Sequence, residues 1–235
     1  MEKILLTRLN QLRKARRTVV EVINLTSGVT SLITEEDDVL DDVHAAAISA
    51  MADGETVADA IGSDSYLFNV YRPDTRLIII GAVHISQALA PMAAMVGMDV
   101  SIVEPRDAFA TENRFFGAKI YGMWPDEAFD EINLDANTAV VAVTHDPKID
   151  DPAIERALNC DCFYIGALGS GRSHASRLAR LTQRGHSEQV LRRIHAPIGL
   201  EIGARQPAEI AVAILAELIA HRQSPRQQTA DVRQG

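Results

Sequence analysis

The sequence predicts an α/β protein in which a Rossmann-like, mostly parallel sheet with helices on both faces follows a small α/β amino-terminal domain. Three observations support this fold class. Short apolar runs such as Leu77–Ile80 alternate with helical periodicity after Pro73, a β-hairpin pattern precedes that proline, and glycine-rich turns follow two of the apolar runs. We therefore expect an amino-terminal domain of residues 1–73, a Rossmann-type domain of residues 74–222 and a flexible tail of residues 223–235.

The stretch 76–104 is predicted to form one βαβ unit. Residues 77–80 are apolar on both faces, as a strand buried in a parallel sheet must be. Apolar residues recur at helical spacing over residues 84–96, and residues 100–103 form a second buried strand. A sharp turn at Gly81 then brings the amino terminus of the helix to the carboxyl edge of the sheet, where a phosphate could bind.

This turn resembles a dinucleotide-binding fingerprint in part. Glu104 follows Gly81 by 23 positions, a spacing that suits a ribose hydroxyl. The second glycine of the fingerprint is replaced by Val83, and Ser86 stands at the third position. The same residues can also be explained without any ligand, if Gly81 only forms the turn of an α/β fold and Glu104 is only a solvated strand end.

The other elements follow from the same periodicities. In the amino-terminal domain we expect a helix at residues 2–17, a hairpin at residues 18–34, a helix that ends at Gly54 and a further strand at residues 66–71. After Glu104 we expect a helix ending at Asn113, a helix opened by Pro125, and helices over 151–159, 172–184 and 208–221. The strands between these helices are expected at residues 118–121, 137–143 and 163–165.

Composition narrows the range of partners and functions that the chain could have. With 47% apolar residues the chain can bury an ordinary core, and a formal charge of −9 disfavours nucleic acid or an anionic membrane as the main partner. No apolar run approaches the roughly 20 residues of a membrane span, and the charged start lacks a signal-peptide pattern, so we expect a cytoplasmic protein. Cys160 and Cys162 are interpreted as reduced packing residues, with a metal or sulfur-carrier role as the minority alternative.

Four loops are expected to meet in one crevice at the carboxyl edge of the sheet. They supply the candidate cofactor-binding residues, which are Gly81, Ala82, His84, Ser86, Glu104, Arg106, Thr144, His145, Asp146, Gly166, Gly169 and Ser170. Arg106 could hold a ribose phosphate or only pair with Glu104. His84 and His145 could serve a metal or proton transfer, but loop histidines commonly do neither, so we predict no metal site and assign no catalytic residue.

The order of the motifs resembles a known family. Residues 76–221 resemble the carboxyl-terminal Rossmann domain of the XdhC/CoxI family, accessory proteins of xanthine dehydrogenase and carbon monoxide dehydrogenase. The resemblance rests on five ordered motifs, namely Gly81-Ala-Val-His84, Thr144-His-Asp146 with Asp150, Tyr164-Ile-Gly-Ala-Leu-Gly-Ser170, Ala196-Pro-Ile-Gly-Leu-Glu-Ile-Gly-Ala204, and Pro207-Ala-Glu-Ile-Ala211 with Ala216-Glu217. The amino-terminal region lacks the Ser-x-Pro-Arg and Gly-Gly-Cys stretches that family members carry.

The resemblance implies a cofactor-binding chaperone rather than a catalyst. Such a protein binds the molybdenum cofactor (molybdopterin), assists its sulfuration and hands it to an apo-molybdoenzyme, with a cysteine desulfurase-type sulfur donor as a further partner. Two other functions stay open. An NAD(P)-dependent oxidoreductase is favoured by Glu104 and disfavoured by Val83, and a nucleotide-binding scaffold could sense a ligand without turnover. The client enzyme and the oligomeric state, a homodimer included, stay open as well.

Overall fold

The computed structural model describes residues 3–106, 109, 114–115 and 117–231, with side chains as far as Arg222. The chain divides into two compact units. One unit holds the chain up to Pro73 together with the part of the last helix from Gln223 onward, and the other holds residues 74–222.

Up to Pro73, the described residues of the first unit form an antiparallel four-stranded sheet with two helices. In chain order its elements are α1 (Lys3–Lys14), β1 (Val19–Asn24), β2 (Thr30–Thr34), α2 (Asp42–Asp53), β3 (Val57–Ile61) and β4 (Asp64–Tyr71). The strand order is β2-β1-β4-β3, and the predicted hairpin of β1 with β2 is confirmed. Strand β3 was not predicted, because it is exposed along nearly its whole length and so lacks the apolar face on which strand prediction depends.

The second unit contains a six-stranded sheet. Its elements are β5 (Arg76–Ile80), α3 (His84–Met95), β6 (Asp99–Val103), β7 (Lys119–Tyr121), α4 (Pro125–Ile132), β8 (Thr138–Ala142), α5 (Pro147–Leu158), β9 (Tyr164–Ala167), α6 (Gly171–Gln183), α7 (Glu188–Leu191), β10 (Ile194–His195) and α8 (Pro207–Asp231). Every strand pair is parallel, and the order β10-β9-β8-β5-β6-β7 is that of a Rossmann sheet. The predicted fold class is therefore confirmed.

Helices cover both faces of the parallel sheet. In β5, Ile78 and Ile80 point into a core that also holds buried residues of α4, α5 and α6. Leu77 and Ile79 point into the opposite core, with buried residues of α3 and α8. All four side chains are fully buried, which explains why this strand is apolar on both faces instead of alternating.

The carboxyl-terminal part of the second unit differs from the prediction. The short elements α7 and β10 were not predicted, and α8 continues to Asp231, ten residues beyond the predicted end at 221 and into the segment assigned to a flexible tail. Glutamine, arginine and alanine favour this extension, whereas Pro225 in the interior of α8 opposes it, so helix propensity alone does not explain it. The predicted helix ending at Asn113 lies outside the described residues. None of the described helices has the length and apolar character needed to cross a membrane.

We propose that Pro73 separates two domains. Asp74 is exposed and lies two residues before β5, so an endoproteinase that cleaves before aspartate should cut there under native conditions and yield a fragment beginning at Asp74. Mass spectrometry of the fragments over time measures the order of cleavage. A first cut inside residues 77–103, in the presence of an intact bond at Asp74, would contradict this boundary.

Candidate functional site

The candidate site lies where β5 and β8 run side by side and their chains leave in opposite directions. In open α/β sheets this switch point forms a crevice at the carboxyl ends of the strands. Gly81 ends β5 with a φ of +112°, and a Cβ added to it would lie 2.6 Å from Cγ2 of Thr144, the second residue after β8. Both its backbone conformation and the close approach of Thr144 therefore require glycine at this position.

Glu104, at the end of β6, is fully buried and bound by protein donors alone. Its Oε2 accepts a hydrogen bond from the backbone N–H of Ala82 at 3.0 Å and from Nη2 of Arg106 at 2.8 Å. Its Oε1 accepts from Nε of Arg106 at 2.6 Å and from the Arg106 backbone N–H at 3.1 Å. A carboxylate has about four lone-pair sites, so these four bonds leave none for a ribose hydroxyl. Of the two roles considered for Arg106, the structure shows the pairing with Glu104.

Burial and hydrogen bonding act in opposite directions on the pKa of Glu104. Burial disfavours the charged form, but the bonds from Arg106 and from the Ala82 backbone outweigh it and lower the pKa below the ordinary value. Glu104 is consequently an anion at neutral pH, and it fixes the turn after β5 to the end of β6.

The turn after β8 is organised around Asp150, which is almost completely buried. Its Oδ1 accepts from the hydroxyl of Thr144 at 2.7 Å, and its Oδ2 accepts from the backbone N–H of His145 at 3.1 Å. This second bond helps to hold His145 in the left-handed region, at a φ of +66°. Asp146 caps α5 by accepting from the Lys148 backbone N–H at 2.9 Å. The side chain of His145 itself is exposed.

The loop after β9 combines packing with helix capping. Gly166 is buried, and a Cβ there would clash with the side chain of Ile198 and lie 2.6 Å from Cε1 of Tyr164, so a larger residue would displace these side chains. Gly169 has a φ of +138°, which favours glycine, and Ser170 caps α6 by accepting from the Ser173 backbone N–H. The loop thereby delivers the start of α6 to the carboxyl edge of the sheet.

The start of α3 is the least satisfied of these helix termini. Its N-cap is Val83, which has no side-chain oxygen to accept from the first N–H groups, whereas α5 and α6 have side-chain caps. His84 is exposed at the first helical position, and the buried Ser86 donates its hydroxyl to the Gly81 carbonyl at 2.5 Å. The amino end of α3 therefore presents unfilled donors and the positive end of its dipole at the switch point.

A buried arginine beneath the crevice was missed in the sequence. Arg177 of α6 is 4% exposed and lies 3.9 Å from Asp150 and 3.8 Å from Asp151, and its Nη2 donates to the Leu168 carbonyl at 3.2 Å. Among the residues that the structure describes, its Nε and Nη1 have no hydrogen-bond partner. Burial lowers the pKa of this guanidinium, with the two aspartates opposing that effect. The signal in the sequence was that Arg177 precedes Leu181 by four residues and so lies on the same, buried face of α6.

The structure brings the predicted residues together in two linked pairs of turns. The Ala82–Glu104 bond joins the turns after β5 and β6, and Arg177 joins the turns after β8 and β9 through Asp150 and Leu168. Most of the predicted side chains thus stabilise the turns, and the groups left open at the surface are backbone N–H donors with His84 and His145. Within the described part of the chain, these two histidines belong to no group of three or more metal-ligating side chains.

The Glu104 network generates a prediction about stability. The variant Glu104→Gln removes the negative charge opposite Arg106, and we expect it to lower the free energy of unfolding by about 1.5–3 kcal/mol at pH 7. Because the pKa of Glu104 is lower in the folded state, its contribution is present above the unfolded carboxyl pKa near ~4.3 and is lost as the pH falls through the folded pKa. Urea unfolding from pH 7 to pH 3 measures both effects.

The matched control is Glu188→Gln, which removes an exposed glutamate paired with Arg192 at 2.8 Å. It should change stability by less than about 0.5 kcal/mol, because an exposed ion pair gains little. Equal losses in the two variants would show that the Glu104 pair does not stabilise the turn.

Comparison with known proteins identifies relatives along most of the second unit. The family model of the XdhC Rossmann domain matches residues 77–218, more than half of the chain. Among curated relatives, an uncharacterized protein of Escherichia coli, YqeB, is 30% identical over 69% of this chain and 31% of its own length. The molybdenum cofactor insertion chaperone PaoD of Escherichia coli is 33% identical over 65% of this chain and 42% of its own length.

A further curated relative and a solved structure also match the chain. A Bacillus subtilis protein named as a probable xanthine dehydrogenase subunit is 34% identical over 64% of this chain and 44% of its own length, so the chain spans less than half of the curated relatives it matches. A crystal structure of a xanthine dehydrogenase from Bacillus halodurans superposes with a TM-score of 0.69 over 95% of this chain and 68% of that chain, at 23% identity, which shows a shared fold. On the match of the family model, the chain belongs to the XdhC Rossmann-domain family.

Proposed function

We propose that the chain is an accessory factor that binds the molybdenum cofactor in the switch-point crevice and assists its sulfuration and insertion into an apo-molybdoenzyme of the xanthine dehydrogenase type. A cysteine desulfurase-type protein is the proposed sulfur donor. The proposal is supported by the family and by the names of two relatives, one a molybdenum cofactor insertion chaperone and the other a probable xanthine dehydrogenase subunit. The cofactor would supply an anionic pterin phosphate to the crevice and a sulfur-bearing molybdenum centre to the client.

The observation that carries this proposal is the start of α3. Its first N–H groups lack a side-chain cap and open onto the carboxyl edge of the sheet beside Gly81. An uncapped helix terminus binds a phosphate because the N–H groups and the dipole both favour negative charge. The backbone donors of Ala82 and Glu104 are committed elsewhere, so the anion contacts are proposed for the first turn of α3.

Arg177 supports an anionic ligand independently. A buried guanidinium with two N–H-bearing atoms that have no partner in the described part of the chain is costly, and an anionic ligand that accepted from them would offset part of that cost. Arg177 already contacts the loop through the Leu168 carbonyl, so a ligand that rests on Gly169 and Ser170 would lie within its electrostatic reach. His84, His145 and Asp146 are the proposed polar contacts at the rim of the crevice.

A nicotinamide cofactor fits these residues less well. The ribose of a dinucleotide needs a free carboxylate oxygen, and Glu104 has all four of its acceptor sites filled. Val83 adds a side chain at the position where the pyrophosphate approaches the backbone. The chemistry of the site therefore favours binding and delivery of an anionic cofactor over hydride transfer.

Cofactor binding can be tested at Gly171, the first residue of α6. A Cβ at this position meets nothing within 4 Å and the backbone is not left-handed, so Gly171→Leu should fold normally while its side chain covers the loop. We expect the natively purified variant to retain roughly one tenth or less of the parent's molybdenum cofactor, quantified as fluorescent pterin after oxidation. The matched control Ala179→Leu adds the same side chain to an exposed position two turns further along α6. Equal cofactor in both variants would make the loop only a connector.

Delivery can be tested in a host that contains a molybdenum hydroxylase. Deletion of this protein should lower the specific activity of the hydroxylase while immunoblotting finds its polypeptide at the parental level, because an insertion factor acts after synthesis of the client. Unchanged activity would contradict a delivery role. Micromolar binding of a reduced nicotinamide cofactor, with oxidation by a carbonyl substrate, would favour an oxidoreductase instead.

A further inference from the structure

A second cluster of polar side chains lies between β10 and α8, apart from the residues assigned to the crevice. It consists of His195 from β10 with Glu217 and His221 from α8, whose candidate ligand atoms all lie within 4.8 Å of one another. Among the residues that the structure describes, this is the single group of three or more metal-ligating side chains that meets this distance. Neither histidine was singled out in the sequence, where no metal site is predicted.

Glu217 is held as an oriented carboxylate. Its Oε2 accepts from the hydroxyl of Tyr164 at 2.5 Å and from the backbone N–H of Gly199 at 2.7 Å. Its Oε1 lies 3.5 Å from Nδ1 of His195. The side chain of Glu217 is only 13% exposed, so one oxygen is fixed by protein donors and the other is directed toward the two histidines.

The two histidines are also held in defined orientations, by a hydrogen bond and by ring contacts. Nδ1 of His221 lies 2.9 Å from the backbone oxygen of Glu217, which can only accept, so Nδ1 is the donor and Nε2 is the ring nitrogen left to bind a metal. The ring of His195 stacks on Tyr164 with centroids 4.8 Å apart and meets the ring of His221 edge-on at 4.3 Å. A histidine that donates one ring N–H to a carbonyl and presents the other nitrogen is typical of metal ligation.

The types of ligand atom and the distances between them indicate which metal ion the cluster would bind. Two imidazole nitrogens and one carboxylate oxygen are the protein ligands of open zinc sites and also of non-haem iron sites, whereas Mg²⁺ and Ca²⁺ prefer oxygen. Ligand atoms about 2.0–2.1 Å from a tetrahedral zinc ion lie roughly 3.4 Å apart. The 3.5 Å between Nδ1 of His195 and Oε1 of Glu217 already meets this separation, and bringing ligand atoms 4.8 Å apart to the same separation requires a shift of about 1.4 Å.

We propose that His195, Glu217 and His221 bind one divalent transition-metal ion, with Zn²⁺ as the expected occupant. The ion would connect β10 to α8, which are otherwise linked here through Glu217. This proposal does not depend on the cofactor-binding function, because none of its three ligands belongs to the crevice.

The site can be tested by metal binding to untagged, chelator-treated protein. We expect the parent to bind one Zn²⁺ per chain in competition with a chromophoric chelator, and to give the visible absorption of Co²⁺ with nitrogen and oxygen ligands when Co²⁺ is added. His221→Gln should weaken Zn²⁺ binding by at least about 100-fold, since it removes one of three ligands. Tyr164→Phe should weaken it about 10–100-fold, because it removes a donor that orients Glu217 but leaves all three ligands in place.

The matched control is His186→Gln. His186 pairs with Glu155 at 3.1 Å but lacks a third ligand among the described residues, so this variant should bind Zn²⁺ as the parent does. Circular dichroism without metal establishes that each variant is folded. A parent that binds no more Zn²⁺ than His221→Gln at micromolar concentrations, or an equal loss in His186→Gln, would overturn the proposal.

Discussion

A single buried carboxylate determines how the switch point is built. Glu104 carries a charge into a site without solvent access, and such a charge is tolerated only when its lone pairs are filled. Arg106 fills three of them and the backbone of Ala82 fills the fourth, so the first turn after β5 is fixed against the end of β6. Gly81 completes the constraint, because only glycine allows the turn to pass so close to Thr144.

A second group of charges supports the other half of the crevice. Asp151 forms a two-bond ion pair with Arg180 at 2.6 and 3.0 Å, while the neighbouring Asp150 is used by backbone donors of the β8 turn. Arg177 lies near both aspartates but within hydrogen-bond distance of neither. What Arg177 lacks is therefore hydrogen bonding rather than opposite charge, because its Nε and Nη1 have no hydrogen-bond partner among the described residues, unlike the saturated pair at Glu104.

The sequence predicted the parallel sheet well but carried little information about which groups the site residues contact, for physical reasons. Strands such as β5 are apolar on both faces, a pattern that local composition reveals, whereas exposed β3 and the two-residue β10 carry no such pattern. Glu104 was singled out by its spacing from Gly81 as a residue suited to a ribose hydroxyl, whereas its partner Ala82 contributes a backbone N–H, which every residue except proline has. In the second cluster, Glu217 and His221 have the spacing of one helical face, yet nothing in the sequence links them to His195 on another element.

Strand β9 connects the two proposed sites. Tyr164 at its start donates to Glu217, and its end continues into the loop of Gly169 and Ser170 that begins α6. The strand is only four residues long and is paired on both sides, by β8 and by β10, so its two ends cannot shift independently. An ion held between β10 and α8 would restrain β10 and, through the pairing of His195 with Gly166, the strand that carries the loop. We therefore expect the ion to affect an anionic ligand through the position of this loop, since none of its three ligands is among the residues predicted to bind the cofactor.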